Sequence, residues 1–328
     1  MKKNLIIDGQ ILQTDAWYRG MGKYTLRVIQ GLDKETPDNL QVYVLFNTSI
    51  RSHAERFKII KFLCPGVKQI HLSLPLAKGN DDEAKDYKSK LSSYIKEELK
   101  DGANFYLVTS LFFFDFLAEF PENCRKMLLF YDLTPLLFWR DLGGYFPPKL
   151  YMSRFQKLYE AERIFCISDT TRKDLLNTFG LDPGSIVNIN GGFTKIAETT
   201  QKPISFHVPK KYILFPTGDL PHKNNEIAIK GFEQYCQETG EKTPLLITSH
   251  FKEESKKHLS YVSDKIIFTD NVLDEELEWL YENAESVLFA SKYEGLGMPV
   301  LDAVANSKPI VASDIPVFKE MTSAAFYF

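Results

Sequence analysis

The chain has 328 residues, about two domains at the usual domain size. Its 44% hydrophobic and 25% charged content is ordinary for a globular protein, and a net charge of −3 gives no electrostatic reason to expect nucleic acid as a partner. Cys64, Cys124, Cys166 and Cys236 are scattered, which predicts reduced thiols and not a disulfide or zinc framework; the six histidines show no metal-ligand spacing either. The apolar run after Met1 is too short for a secretory signal core, and no segment approaches the ~20 apolar residues of a membrane helix. A cytoplasmic protein is expected.

In chain order, short apolar runs alternate with longer amphipathic ones. Residues 5–7 predict a strand and 22–32 a helix; 42–46, 105–108, 127–131 and 163–167 predict further strands. The heavily charged stretch 81–100 predicts a solvated surface helix, and 149–162 an amphipathic one. The second half repeats the rhythm, with strands at 212–215, 245–248, 266–269, 287–290 and 310–312 and helices at 224–235, 252–262, 274–282 and 298–305. Such alternation predicts parallel sheets covered on both faces. The polar stretch 199–203 separates the halves, so two doubly wound domains are expected, 1–200 and 201–328, with a cleft at the strand C-terminal ends.

Two segments of the second half carry the sharpest chemistry. Strand 287–290 leads into Tyr293-Glu294-Gly295-Leu296-Gly297-Met298-Pro299-Val300-Leu301-Asp302. Its glycines permit a tight turn, Pro299 suits a first helical turn, and free N–H groups at that helix start form an anion site. Glu294 and Asp302 can both face one pocket, where carboxylates accept bonds from sugar or ribose hydroxyls. The same spacing also fits a glycine turn with a solvated glutamate. Upstream, Thr217-Gly218-Asp219-Leu220-Pro221-His222-Lys223-Asn224 puts Lys223 at a helix N-terminus, the wrong end for the helix dipole. A phosphate beside it would give that cation a purpose; a surface lysine is the plainer alternative.

The first half is less specific. Gly20-Met21-Gly22 lacks the third glycine of a dinucleotide fingerprint. Phe130-Tyr131-Asp132-Leu133-Thr134-Pro135 ends a strand in a polar pair. Ser168 reads as a helix cap and Asn190-Gly191 as a plain turn.

The order of these pieces resembles the glycosyltransferase family 4 (group 1) enzymes of the GT-B fold, over nearly the whole chain and most specifically from Tyr212 onward. Asp270-Asn271-Val272-Leu273-Asp274-Glu275-Glu276-Leu277 with Tyr281-Glu282-Asn283-Ala284 is similar to the family's F-x-G-x-V-x-D-E-E-L…Y-x-x-A stretch. Tyr293 to Pro299 is similar to its Y-E-G-F-G-L-P, and Lys308-Pro309-Ile310-Val311-Ala312-Ser313 to its x-P-V-V-x-S. The resemblance implies an α/β GT-B fold, two Rossmann-like domains facing a cleft. It implies retaining transfer, without metal or cofactor, from a nucleoside diphosphate sugar to a hydroxyl of a glycan, glycolipid or lipid-linked saccharide. A lipid-linked acceptor would bring the protein to the inner face of a membrane.

The resemblance also assigns roles. Lys223, beside the Gly218 turn, would hold the diphosphate, and Glu294 would contact the transferred sugar. The backbone of Gly295, Leu296, Gly297, Met298, Pro299 and Val300 would meet sugar and phosphate. Asp302 would take the ribose, with Asn271 and Val272 beside the base. Gly20 and Gly22 would approach the donor from the N-terminal half, and Asp132 would join Glu294 as a catalytic group. The chain departs from the family pattern where Asp302 replaces a glutamate, Asp219 an arginine and Tyr131 a histidine. These departures also fit a non-catalytic GT-B subunit that binds sugar nucleotide or supports a partner transferase. A sugar-nucleotide epimerase fits less well, because the loop from Tyr293 to Pro299 looks like that of the transferases. Relatives continue through a further helical region, so a truncated chain is expected.

Overall fold

Runs of β-branched, leucine and aromatic side chains form two fully parallel sheets. A computed structural model describes residues 2–50, 55–76, 81–112, 116–141, 148–192, 196–249, 251 and 264–328. The chain divides into two units, one of Met1–Tyr131, Phe146–Cys166 and Leu175–Ile189, the other of Asp132–Tyr145, Ile167–Asp174 and Asn190–Phe328.

The first sheet holds β1 (Lys3–Asp8), β2 (Leu40–Asn47), β3 (Lys68–Leu72), β4 (Ala103–Val108), β5 (Arg125–Phe130), β6 (Arg163–Cys166) and β7 (Ile186–Asn188), in the order β3-β2-β1-β4-β5-β6-β7. Parallel crossovers are right-handed. The steps from β1 to β3 therefore put α1 (Gly20–Glu35) and α2 (Arg56–Leu63) on one face. The steps from β3 onward put α3 (Asp81–Glu98) and α5 (Pro148–Glu160) on the other. Alternation along β4 shows the division: Tyr106 meets Tyr87 of α3 hydroxyl to hydroxyl at 3.2 Å. Its neighbours Phe105 and Leu107 turn the opposite way. With Met127, Leu129 and Phe165 and with Val28 and Leu32 of α1, they line an apolar groove of about 390 Å³.

Sequence and structure differ in places here. Helix α1 begins at Gly20, so both glycines of the Gly-x-Gly lie in its first turn and not in a loop. Helix α3 is not simply solvated: Tyr87, Leu91 and Ile95, four residues apart, form a fully buried stripe. The expected helix at 252–262 lies outside the described residues.

The second sheet holds β8 (Ile213–Pro216), β9 (Leu245–Thr248), β10 (Ile266–Phe268), β11 (Ser286–Phe289), β12 (Ile310–Ala312) and β13 (Ala325–Tyr327), in the order β10-β9-β8-β11-β12-β13. Helix α7 (Asn225–Thr239) buries Ala228, Ile229, Phe232 and Cys236 against Phe215, Leu245 and Ile247. On the opposite face α8 (Asp274–Asn283), α9 (Met298–Ala305) and α10 (Pro316–Met321) bury Leu280, Tyr281, Val300 and Phe318 against Leu214, Val287 and Phe289. Each such apolar side chain contributes on the order of 2 kcal/mol. The strand order reverses between β8 and β11, where the loops after the two strands diverge and leave a crevice, the usual ligand position in such sheets. This unit also takes in the one-turn helix α4 (Thr134–Leu137) and the start of α6 (Asp169–Phe179). All four cysteines are free, and among the described residues no helix is long and apolar enough to cross a membrane.

Candidate active site

Two loops at the reversal point supply the site. After β8 the chain makes a 3-10 turn at Pro221–Lys223, and Asn224 takes a left-handed φ of 57° before α7. Asn225 ties this loop shut: its Nδ2 donates to the Gly218 carbonyl at 2.8 Å, and its Oδ1 accepts from Thr217 Oγ1 at 2.7 Å. After β11 the chain turns through residues 291–297 into α9. Gly297 has φ of 78°, and a Cβ there would come 2.8 Å from the Phe318 ring, so both conformation and space require glycine. The two loops are joined where the Lys292 N–H donates to the His222 carbonyl at 2.8 Å.

That junction brings Lys223 and Glu294 together. Lys223 Nζ lies 2.6 Å from Glu294 Oε1, and Ser291 Oγ donates to the same oxygen at 2.6 Å. The side chains keep 19% and 14% exposure, so the pair is largely desolvated yet reachable. Enclosed with Thr217, Phe289 and Pro299 is a space of about 10 Å³, room for one water molecule. Burial would raise the Glu294 carboxyl, but Lys223, His222 and the bonds from Lys223 and Ser291 outweigh it and hold Glu294 below its ordinary value. Burial, with the Lys223 charge, pushes His222 down to about 4, so it is neutral near pH 7. His222 is buried with Nδ1 unpaired.

Asp132 joins this centre electrostatically. Burial raises its carboxyl, Glu294 raises it further, and Lys223 and the Thr134 N–H oppose, the last at 2.8 Å. Tyr293, next to Glu294, fixes the arrangement. Its hydroxyl donates to Asp174 Oδ2 at 2.8 Å and accepts the Leu133 N–H at 3.1 Å. The Gly295 carbonyl accepts from Ser168 Oγ at 2.6 Å and from Thr171 Oγ1 at 3.1 Å. Glu320 caps α6, accepting from the N–H groups of Asp169 and Thr170 at 2.6 and 2.9 Å.

The remaining predicted residues fall in several places. Gly295, Leu296, Gly297, Met298, Pro299 and Val300 form the turn into α9, as the sequence suggests. Asp302 is buried in α9, where its charge acts on the Tyr281 hydroxyl, and it does not line the space beside Lys223. Asn271 is exposed after β10, and Val272 packs on the α8 side of the sheet. Gly22 has a structural reason of its own: a Cβ there would come 2.1 Å from the Ala16 carbonyl oxygen. Tyr131 turns into the first unit, where its hydroxyl bonds Thr25 Oγ1 at 2.6 Å and donates to the Met21 carbonyl at 3.1 Å. Among the described residues no group of three His, Cys, Asp or Glu side chains could hold a metal.

Residues 197–326, which contain Lys223, Ser291 and Glu294, match the family model for glycosyl transferases group 1. This segment is a group 1 glycosyl transferase domain. The chain is 37% identical to the serotype-specific mannosyltransferase WbdA of Escherichia coli over 76 residues, 23% of this chain and 9% of that protein. It is 25% identical to the O-antigen chain mannosyltransferase B of Escherichia coli over 257 residues, 70% of this chain and 60% of that protein. The chain thus spans less than two thirds of the length of these curated relatives. A solved glycosyltransferase from Rickettsia africae ESF-5 superposes with a TM-score of 0.64 at 14% identity, covering 99% of this chain and 83% of that one. Likeness at that identity shows the fold, two Rossmann-like units of the GT-B type. Within the group 1 domain, the residues that sequence reasoning missed are Ser291, His222, Tyr293 and Glu320. His222 lies inside the Thr217–Asn224 motif and Ser291 three residues before Glu294, and that proximity in sequence was the available signal. The partners of Tyr293 and Glu320 are more than 100 residues away and gave none.

Proposed function

We propose that this protein is a nucleotide-sugar-dependent glycosyltransferase that moves a hexose, mannose first among the candidates, to a hydroxyl of a growing glycan. The observation that carries this reading is the Lys223–Glu294 pair at the reversal point of the second sheet, inside the segment that matches the group 1 family. Mannose and a glycan acceptor rest on the two relatives named as mannosyltransferases.

Transfer breaks the bond between the anomeric carbon and a diphosphate oxygen, leaving negative charge on the diphosphate. Lys223 exchanges its carboxylate partner for that charge, helped by the N–H groups of the loop opening α9. Glu294, kept ionised, stabilises the positive charge developing at the anomeric carbon. In this reading protein groups meet both charges, with no metal or cofactor. Retention of configuration is expected from the family resemblance and is read from the product anomer by NMR. With a lipid-linked acceptor, the reaction takes place at a membrane face.

The test is transfer of labelled sugar from a panel of UDP-, GDP- and ADP-sugars, nucleoside diphosphate mannoses included, to mannose oligosaccharides. Glu294→Gln should lower turnover about 100-fold or more, the scale of losing one preorganised charge contact. Wild-type turnover in that variant contradicts the proposal. Donor binding with no transfer by the wild-type protein points instead to a non-catalytic subunit.

A further inference from the structure

Beyond Asp132 the chain carries a strip that the donor site does not use. Leu133 is buried, α4 makes a single turn, and Phe138, Trp139 and Arg140 follow. The strip is anchored to the donor centre at both ends. The Leu133 N–H bonds the Tyr293 hydroxyl, and the Phe138 ring lies 5.7 Å from the His222 ring, one residue before Lys223. Between and beyond these anchors, Leu137 is 54% and Trp139 49% exposed.

An indole is a large apolar surface to leave half in water. Trp139 is the one tryptophan among the exposed large side chains of the described residues. The Arg140 guanidinium carbon sits 5.5 Å from the centre of its ring, and exposed Asp141 follows. The combination is a half-exposed indole with a five-donor cation over its ring and an acceptor-only anion next in the chain. A pyranose ring has the matching chemistry: a C–H face to lay on the indole and hydroxyls that both donate and accept. A lipid surface would favour several apolar side chains with cations, without a carboxylate beside them.

We propose that Trp139 is a stacking platform of the acceptor subsite, holding the terminal hexose of a glycan, with Arg140 and Asp141 bonding its hydroxyls. This rests on the reading of Lys223 and Glu294 as the donor centre. Two measurements test it separately from that reading. In a Trp17→Phe/Trp279→Phe protein, Trp139 is the only tryptophan left of three. Titration with α-mannotriose should change its emission saturably, and vesicles of anionic phospholipid should not. In transfer assays Trp139→Ala should raise the acceptor KM about tenfold while affinity for the nucleotide sugar is kept, and Trp139→Phe should restore most of the loss. An unchanged acceptor KM in Trp139→Ala, or emission that answers vesicles and not the trisaccharide, overturns the proposal. Loss of nucleotide-sugar binding by the wild-type protein would strike the underlying reading instead, and the emission titration would still stand as a test of Trp139.

Discussion

Among the described residues the Lys223 ammonium is ion-paired with Glu294, and the proposed chemistry supplies a diphosphate in exchange. Because the pair is mostly buried, each charge depends on the other, and exchange for a diphosphate replaces one ionic contact with another without exposing either. Tyr293 holds this centre to its surroundings through two bonds from one hydroxyl. Tyr293→Phe leaves the Leu133 N–H and Asp174 without that partner, which should remove roughly 1–3 kcal/mol of stability. As a positioning residue, Tyr293 should affect turnover more than donor affinity. We expect kcat to fall about tenfold, equivalent to ~1.4 kcal/mol, with donor KM nearly constant. Steady-state kinetics beside a thermal melt check both; a loss of stability with unchanged kcat would make Tyr293 purely structural. Lys223 and Glu294 were legible in the sequence because each sits in a short motif whose glycines and prolines shape its own loop. Tyr293 to Asp174 was not, since nothing local records a contact 119 residues apart. Ser168 caps α6 as its sequence position predicts, accepting the Thr171 N–H at 3.0 Å, whereas its bond to the Gly295 carbonyl is again long-range.

Strand β1 delivers a buried carboxylate at its C-terminal end. Asp8 is 1% exposed and accepts from the Gln10 N–H at 3.1 Å and from Gln10 Nε2 at 3.2 Å. Burial dominates these bonds and the nearby Arg154 charge, and raises the carboxyl from 3.8 to about 6. A raised folded-state value means that the folded protein holds a proton which the unfolded chain has lost. Stability from this group is therefore full below about pH 4 and lost as pH rises through 6. The two-unit difference corresponds to about 3 kcal/mol. Asp8→Asn cannot titrate, so relative to wild type it should gain about that much between pH 4 and pH 7 in urea unfolding; a wild-type-minus-variant difference independent of pH contradicts the account. At this scale the sequence was most legible in strands such as β9 and β12, whose short, mainly apolar runs predicted their bounds residue for residue. It was least legible at β3, β7, β13 and α2. The three strands are short and at or near sheet edges, with polar or exposed positions that break the apolar signal. Helix α2 leaves Ile59, Phe62 and Leu63 exposed, so its apolar residues do not mark one buried stripe.

For the molecule as a whole, strand–helix alternation was enough to predict two parallel sheets, and handedness then fixes which helices cover which face. The position of the candidate site follows from topology before any motif is considered. Two loops at a strand-order reversal diverge, and the residues they carry are Lys223 and Glu294. What alternation could not supply is the assignment of residues 132–145 and 167–174 to the second unit, because unit membership depends on packing between distant segments. In the proposed function the reversal point of the second sheet binds a nucleoside diphosphate through Lys223. Calorimetric titration of wild-type and Lys223→Ala protein with UDP, GDP and ADP is the decisive measurement. One of these should bind the wild-type protein, and Lys223→Ala should weaken it about tenfold or more, with the effect shrinking as salt is added. Equal affinity in the two proteins, both folded by circular dichroism, would contradict it.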